Sequence, residues 1–290
     1  MKTAFTTGSA LRAAFAMTAV AVGAVAAAAE PAVSPIVLGP EGETLKAEDK
    51  RLTAGDVTKV LFQADRTKPI DFSGRTLRDL DLSGLDFKGA QMKGADLFGA
   101  DLTTANLKGA DLSGAILNRT TIIRADFSGA NLSGAAFMRP SVSTTLEYDV
   151  AEAPKFAGAD MHGIRLTSRM EGADFRGANL TGAMMGPHEP RADISSMPNS
   201  IMKSCDFSGA ILTDVDLSRA VLTFSRFVGA DLRRATLVMA DLSKTDLSGA
   251  DLTGADLTGA NLDGANLSGV KGFETIRGRD TIRNLDRAIR

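Results

Sequence analysis

Along most of this chain a large apolar residue returns at every fifth position. The run starts at Phe72, Leu77, Leu82 and Phe87, holds to Phe137, resumes at Phe156, and stays in phase from Met202 to Leu267. Two positions before it stands a small residue, as at Ala95, Ala100, Ala105 and Ala110, or Ala230, Ala235 and Ala240. Asp or Asn precedes the apolar centre, Ser or Thr follows it, and Gly comes next, as in Asp111-Leu112-Ser113-Gly114-Ala115.

A period of five excludes both ordinary elements. In an α-helix five residues advance about 500°, so successive leucines would step about 140° around the cylinder. In a strand side chains alternate with period two, and five is odd. The chain must turn once per unit, and Gly, Asp, Asn, Ser and Thr are the residues that tolerate such turning. With Leu filling the inside, only a methyl-sized neighbour fits beside it. The period therefore implies a coil around an apolar axis, and repeats of this kind decide architecture before any motif is weighed.

Spacing alone leaves the number of units per circuit open. These units resemble the pentapeptide-repeat family over roughly two thirds of the chain. The resemblance implies an all-β fold, a right-handed, four-sided parallel β-helix with four units per coil. About nine coils at ~4.8 Å each would make a rod roughly 40 Å long. Each buried Leu or Phe would stabilise it by ~1.5–3 kcal/mol relative to exposure.

The ends read differently. Lys2 and Arg12 precede an apolar stretch from Ala13 to Ala28, and Ala27-Ala28-Ala29 fits a small-residue cleavage site, so residues 1–29 read as a signal peptide. The expected mature protein is exported and periplasmic, with no stable membrane insertion once the leader is removed. Loss of Lys2 and Arg12 leaves 31 basic against 35 acidic residues, a net charge of −4. Residues 30–69 form a lead-in followed by a short capping helix: Thr53 is its N-cap, Asp56 lies in its first turn, and Val57, Val60, Leu61 and Ala64 share a face. At the other end, residues 271–290 read as a basic amphipathic helix. Ile282, Leu285 and Ile289 lie on one side of it, as a second cap or, as the resemblance suggests, a homodimer contact.

Two interruptions divide the repeats of 70–139, 156–185 and 201–270. Residues 140–155 hold Tyr148 and Pro154, and residues 186–200 hold Pro187, His188, Pro190 and Pro198. One residue is also lost between Leu166 and Met170. Insertions in a solenoid become loops on its side, often its binding side.

Catalytic chemistry finds no foothold in this pattern. The histidines, His162 and His188, lie in different segments without metal-ligand spacing. An envelope enzyme built by the loops would need them within ~5 Å of each other or of shared carboxylates. Most carboxylates sit where the repeat itself demands a turn residue. Cys205 occupies a small inward position, and one cysteine allows no intrachain disulfide. No cofactor, metal site or catalytic residue is expected, and the protein is not expected to be an enzyme.

Some relatives in the resembled family mimic DNA and protect gyrase in the cytoplasm. That role needs a continuous acidic face. Residues twenty apart should stack, and Asp206, Arg226, Asp246, Asn266 in one such column dilute the acid. No nucleic-acid partner is expected. One face carries outward-facing Phe98, Ile116 and Met138 beside the first interruption, a candidate interaction patch unless the 140–155 loop covers it. The expectation is a non-enzymatic structural or interaction module that meets an envelope protein, with gyrase mimicry as the alternative.

Overall fold

The structure, a computed structural model, describes residues 36–38, 43–45, 52–65, 67–144, 149–186 and 200–290. The proposed signal peptide, Tyr148, and His188 with nearly all of the second interruption lie outside the described residues.

Four parallel columns of β-bridges run through the repeats, one rung per circuit. The first face passes through Asp71, Gln91, Asp111, Asn131, Asp160, Asn179, Ile211, Asp231, Asp251 and Lys271. The second passes through Thr76, Asp96, Ile116, Ala136, Arg165, Met184, Asp216, Thr236, Asp256 and Arg277. The third holds Asp81, Asp101, Thr121 and Ser141, then Arg169, Ile201, Val221, Asp241, Asn261 and Arg283. The fourth holds Asp86, Asn106, Asp126, Lys155, Asp174, Asp206, Arg226, Asp246, Asn266 and Ile289. Bridges between positions twenty apart mean four pentapeptides per circuit, so the fold is the expected right-handed four-sided parallel β-helix. Nine rungs carry a central apolar residue and a tenth closes the end.

Each regular unit makes the same hydrogen bonds. Phe72 N–H donates to Gln91 O (2.6 Å), Gly74 N–H to Lys93 O (2.9 Å), and Gln91 N–H to Ile70 O (2.7 Å). Within the turn, Ala90 N–H donates to Phe87 O at 2.9 Å. The acidic residue before each apolar centre is structural, because its Oδ1 accepts the N–H two residues on, as Asp111 does from Ser113 at 3.0 Å. Asparagines interleaved in these columns relieve like-charge stacking: Asn261 Nδ2 donates to Asp241 and Asn266 Nδ2 to Asp246, both at 3.1 Å. Where a small inward position carries a hydroxyl, a backbone carbonyl generally takes it, as Leu242 O does from Thr245 Oγ1 at 2.6 Å. Ser168, at the four-residue step between Arg165 and Arg169, is the exception, its buried Oγ unpartnered.

The apolar centres and the alanines form one core along the axis. On the fourth face it becomes a ladder of five stacked rings. Phe127, Phe156, Phe175, Phe207 and Phe227 stand 5.1, 5.0, 4.8 and 4.8 Å apart, within 9° of parallel. This ladder spans the rungs in which the second and third faces are irregular, and one rung on either side. Arg75, fully buried, takes the small inward position of the first coil, a substitution the pattern of alanines gave no reason to expect.

The N-terminal cap forms as expected. Helix α1 (Ala54–Gln63) starts at Thr53, whose Oγ1 accepts from Asp56 N–H while Asp56 bonds back to Thr53 N–H. Its Val57, Val60 and Leu61 join the core of the coil. Before it, β1 (Ile36–Leu38) pairs antiparallel with β2 (Glu43–Leu45).

The C-terminal helix does not form. Residues 271–290 instead make a tenth coil in six-residue steps, with 3₁₀ turns at Phe273–Thr275, Arg279–Thr281 and Leu285–Arg287. Bridges join Asp251 to Lys271, Asp256 to Arg277, Asn261 to Arg283 and Asn266 to Ile289. The strand edge of the ninth coil holds these residues down, and edge pairing outweighs local helical periodicity. Ile282 and Leu285 pack on the core while Ile289 is exposed, so the three do not share a helical face. The helix through which a second copy would dock is therefore absent.

The first interruption also begins later than the composition suggests. Ser141 still bridges Thr121 and Val142 still points inward. The chain then leaves the coil and returns at Lys155, a step of fourteen residues between the third and fourth faces. One rung on, Arg165 to Arg169 is a step of four, and one rung further Met184 to Ile201 is a step of seventeen. The short strands β3 (Ala136–Met138) and β4 (Arg165–Thr167) pair in parallel beside these irregularities.

Candidate functional site

All three departures from the repeat adjoin the third face, at the fourth, fifth and sixth rungs. Two further features gather around them.

The first is carboxylate depletion. Aspartate or asparagine before the apolar centre is the structural norm, because it closes the turn. The second face abandons it at Ile116, Ala136, Arg165 and Met184, and the third at Thr121, Ser141, Arg169, Ile201 and Val221. On the same rungs the first and fourth faces keep Asp111, Asn131, Asp160, Asn179, Asp126, Asp174 and Asp206 and give it up at Lys155, Ile211 and Arg226.

The second is backbone conformation at the corners. The last turn residue of each unit is left-handed, which is why glycine stands there. At the corner after the fourth face all nine are glycine, from Gly89 to Gly269. At the two corners bordering the third face ten left-handed residues carry side chains. They are Asp79, Arg119, Arg139, Arg219 and Met239 on one side, and Thr104, Arg124, Ser204, Phe224 and Lys244 on the other. Each such residue costs roughly 1–2 kcal/mol of backbone energy, and strain of this kind collects at functional surfaces.

The patch expected from sequence lies within this region. Phe98, Ile116 and Met138 occupy successive rungs of the second face, with Ile116 38% exposed and the other two half-buried. What covers Phe98 is cationic: the Arg78 guanidinium lies 4.3 Å from its ring centre and that of Arg119 5.7 Å. The described part of the first loop does not lie there. It returns along the far corner, where Glu152 O accepts from Arg124 N–H (2.8 Å) and the Glu152 carboxylate accepts from Thr144 N–H and Oγ1 (2.9 and 2.7 Å). Those bonds from Thr144 hold the Glu152 carboxyl below the usual range.

Electrostatics divides the surface further. Elsewhere several cations are paired, as Lys108 with Asp126 (3.1 Å), Arg176 with Asp174 (2.7 Å), Arg233 with Asp231 (2.6 Å) and Arg234 with Asp214 (2.6 Å), while Lys88, Lys93 and Lys271 form no ion pair among the described residues. Around the third face, Arg119, Arg124, Arg139, Arg165, Lys203 and Arg219 have no ion-pair partner among the described residues. Arg169 is neutralised by the nearly buried Glu171 at 2.7 Å and Arg78 by Asp96 at 3.0 Å, and Arg124 lies in the field of the Glu152 carboxylate. Sequence reading missed these arginines, yet each visible corner signal was an Arg where the repeat calls for Gly.

Catalytic groups do not assemble among the described residues. His162 Nδ1 meets only Asp160 Oδ1, at 2.9 Å, and no cluster of three metal-ligating side chains occurs there. Cys205 is fully buried with its Sγ 2.8 Å from Met170 O, and burial pushes its thiol pKa far up, so it is no nucleophile. No helix among the described residues is long and apolar enough to cross a membrane.

Comparison with known proteins adds the following. A family model described as pentapeptide repeats matches in eight copies, over residues 70–103, 105–139, 200–237 and 240–271. No curated protein matches the chain. Among solved structures, it is similar to HetL, a pentapeptide repeat protein involved in heterocyst differentiation regulation in the cyanobacterium Nostoc sp. strain PCC 7120. The two are 24% identical over 82% of this chain and 94% of that one, with a TM-score of 0.39. QnrB1, a plasmid-mediated fluoroquinolone resistance protein, is 16% identical over 64% of this chain and 81% of its own, with a TM-score of 0.31. A pentapeptide repeat protein of the Arabidopsis thaliana thylakoid lumen is 31% identical over 43% of this chain and 67% of its own, with a TM-score of 0.17.

Proposed function

The chain belongs to the pentapeptide-repeat family, and from that premise we propose that it is an exported, non-catalytic interaction module that docks a protein partner on its second and third faces. One observation carries the reading. Departures from the repeat concentrate on one side of the coil: both insertions, the deletion, the nine carboxylate-free positions named above and ten left-handed side chains adjoin the second and third faces. Against these stand Gln91, Lys155, Ile211 and Arg226 on the other two faces and the left-handed Asp214 and Arg234 between the first and second. A coil serving only as a spacer has no reason to concentrate its irregularities. Side-chain variety on a rigid, evenly spaced surface supplies specificity, because little conformational freedom is lost on binding.

Export rests on the leader alone, with Lys2 and Arg12 before the Ala-rich stretch and the alanines at 27–29. An envelope protein is then the expected partner. Cell fractionation with intact mass tests this part: a periplasmic protein beginning near Glu30 is expected, and a full-length cytoplasmic one would overturn it. Photocrosslinking from position 116 in cells tests the docking face. One defined adduct is expected, and it should be lost when the crosslinker is moved to position 129 on the all-glycine corner. Equal capture from both positions would sink the docking face.

A further inference from the structure

The cations described above point to the chemistry of the partner. Five successive rungs, the third to the seventh, each bring at least one to this side of the coil: Arg119 and Arg124, Arg139, Arg165, Lys203, and Arg219. Rungs are ~4.8 Å apart, so the series is continuous over its length. The chain as a whole is slightly acidic, with 33 basic and 35 acidic residues. The positive strip therefore exists by placement and not by composition. Four of its arginines occupy left-handed corner positions where glycine would serve the coil better. Between the cations stand apolar side chains: Ile116 and Met184 are exposed, and Ile201 and Val221 half-exposed.

We infer that this surface binds an acidic polypeptide segment that also carries apolar side chains. The inference rests on the docking reading above and specifies its partner. A nucleic acid or anionic glycan would satisfy the cations but leave the aliphatic residues between them unmatched. An acidic segment with interspersed leucine-like side chains satisfies both. Charge complementarity of this kind governs encounter rate and partner choice.

The corner positions make a clean test available. Substituting Arg119→Gly, Arg124→Gly, Arg139→Gly and Arg219→Gly together restores the repeat and leaves the fold intact. A control carrying Lys88→Gln, Lys93→Gln, Lys155→Gln and Lys271→Gln removes the same number of charges from the other faces and the end. The full chain is titrated with a labelled peptide alternating glutamate and leucine, a peptide alternating glutamate and serine, single-stranded DNA, and a heparin fragment. The glutamate–leucine peptide is expected to bind most tightly, to weaken with added salt, and to lose about tenfold or more on the arginine-to-glycine variant but not on the lysine control. Equal affinity for both variants, or tighter binding of DNA or heparin than of that peptide, would overturn the inference. A crosslinked partner at position 116 whose capture is unchanged in the arginine-to-glycine variant would keep the docking face and discard the acidic partner. Absence of both adduct and peptide binding would discard the two together.

Discussion

The hydroxyl of Thr275 accepts the backbone N–H of Gly254 at 2.9 Å, replacing a carbonyl. One rung earlier the equivalent N–H, that of Arg234, is met by the carbonyl of Thr253 at 3.0 Å. Thr281 does the same for Gly259 at 2.9 Å. Each threonine donates its own hydroxyl proton to the glycine carbonyl of its turn, Thr275 to Gly272 at 2.7 Å and Thr281 to Gly278 at 2.6 Å. The last coil thus receives the ladder below it and engages two of its own carbonyls, those of Gly272 and Gly278, which leaves less edge for another chain to extend.

Replacing Thr275 and Thr281 by valine keeps the shape and removes both acceptors. A loss of roughly 0.5–1.5 kcal/mol per site is expected, with faster amide exchange at Gly254 and Gly259. Unchanged exchange there would show that the hydroxyls do not close the ladder.

Glycine at the end of the rod is held to a stricter standard than glycine along it. A Cβ on Gly272 would stand 2.7 Å from Thr253 N, whereas one on Gly129 meets nothing within 4 Å. Gly129→Ala should cost roughly 1–2 kcal/mol, from left-handed strain alone. Gly272→Ala should cost more, since it must also push the last coil off the ninth. Urea denaturation of the two variants gives the comparison.

The stacked rings set a test in the core. Phe175 lies in the middle of the ladder, 5.0 Å from Phe156 and 4.8 Å from Phe207. Phe175→Ala should cost about 3–5 kcal/mol. The same change at Phe72, at the end of the core and outside the stack, should cost less. Equal losses would mean that stacking across the irregular rungs adds nothing beyond burial.

Acid should weaken the coil along its length. Hydrogen bonds from Ser83, Ser248, Thr253 and Thr258 hold Asp81, Asp246, Asp251 and Asp256 below the ordinary aspartate value of 3.8. A carboxyl depressed in the folded state binds its proton more readily when unfolded. Its contribution is therefore complete above the unfolded value and is lost as pH falls through the folded one. Stability to urea should be flat from neutral pH down to about 5 and decline below about 4. A decline beginning near pH 6 would require another titrating group.

Much of this protein was legible in the spacing of its residues, and the exceptions share a cause. The leucines at Leu97, Leu102 and Leu107 cannot be buried together by helix or strand, so a coil was the available answer. The capping helix was legible too, because Thr53, Asp56, Val57, Val60 and Leu61 act within two turns of one another. The terminal coil was missed because its steps are six residues. Ile282, Leu285 and Ile289 mimic a helical face, while Gly272 and Gly278, with Thr275 and Thr281 three residues later, mark the true turns. The candidate surface was seen only in part. Phe98, Ile116 and Met138 are apolar where the repeat is polar, but Arg119, Arg139 and Arg219 became a set only once their corners were aligned.

Sequence by itself therefore determined the period, the apolar axis, the inward alanines and the turn chemistry, since each rests on contacts within one unit or between units a fixed distance apart. Tertiary structure decided the rest. Insertions of unequal length shift the register, so only the stacked coil reveals that Ser141, Arg169 and Ile201 share a face. Whether an end pairs with an edge or curls into a helix depends on the rung waiting beneath it, and no local pattern contains that rung.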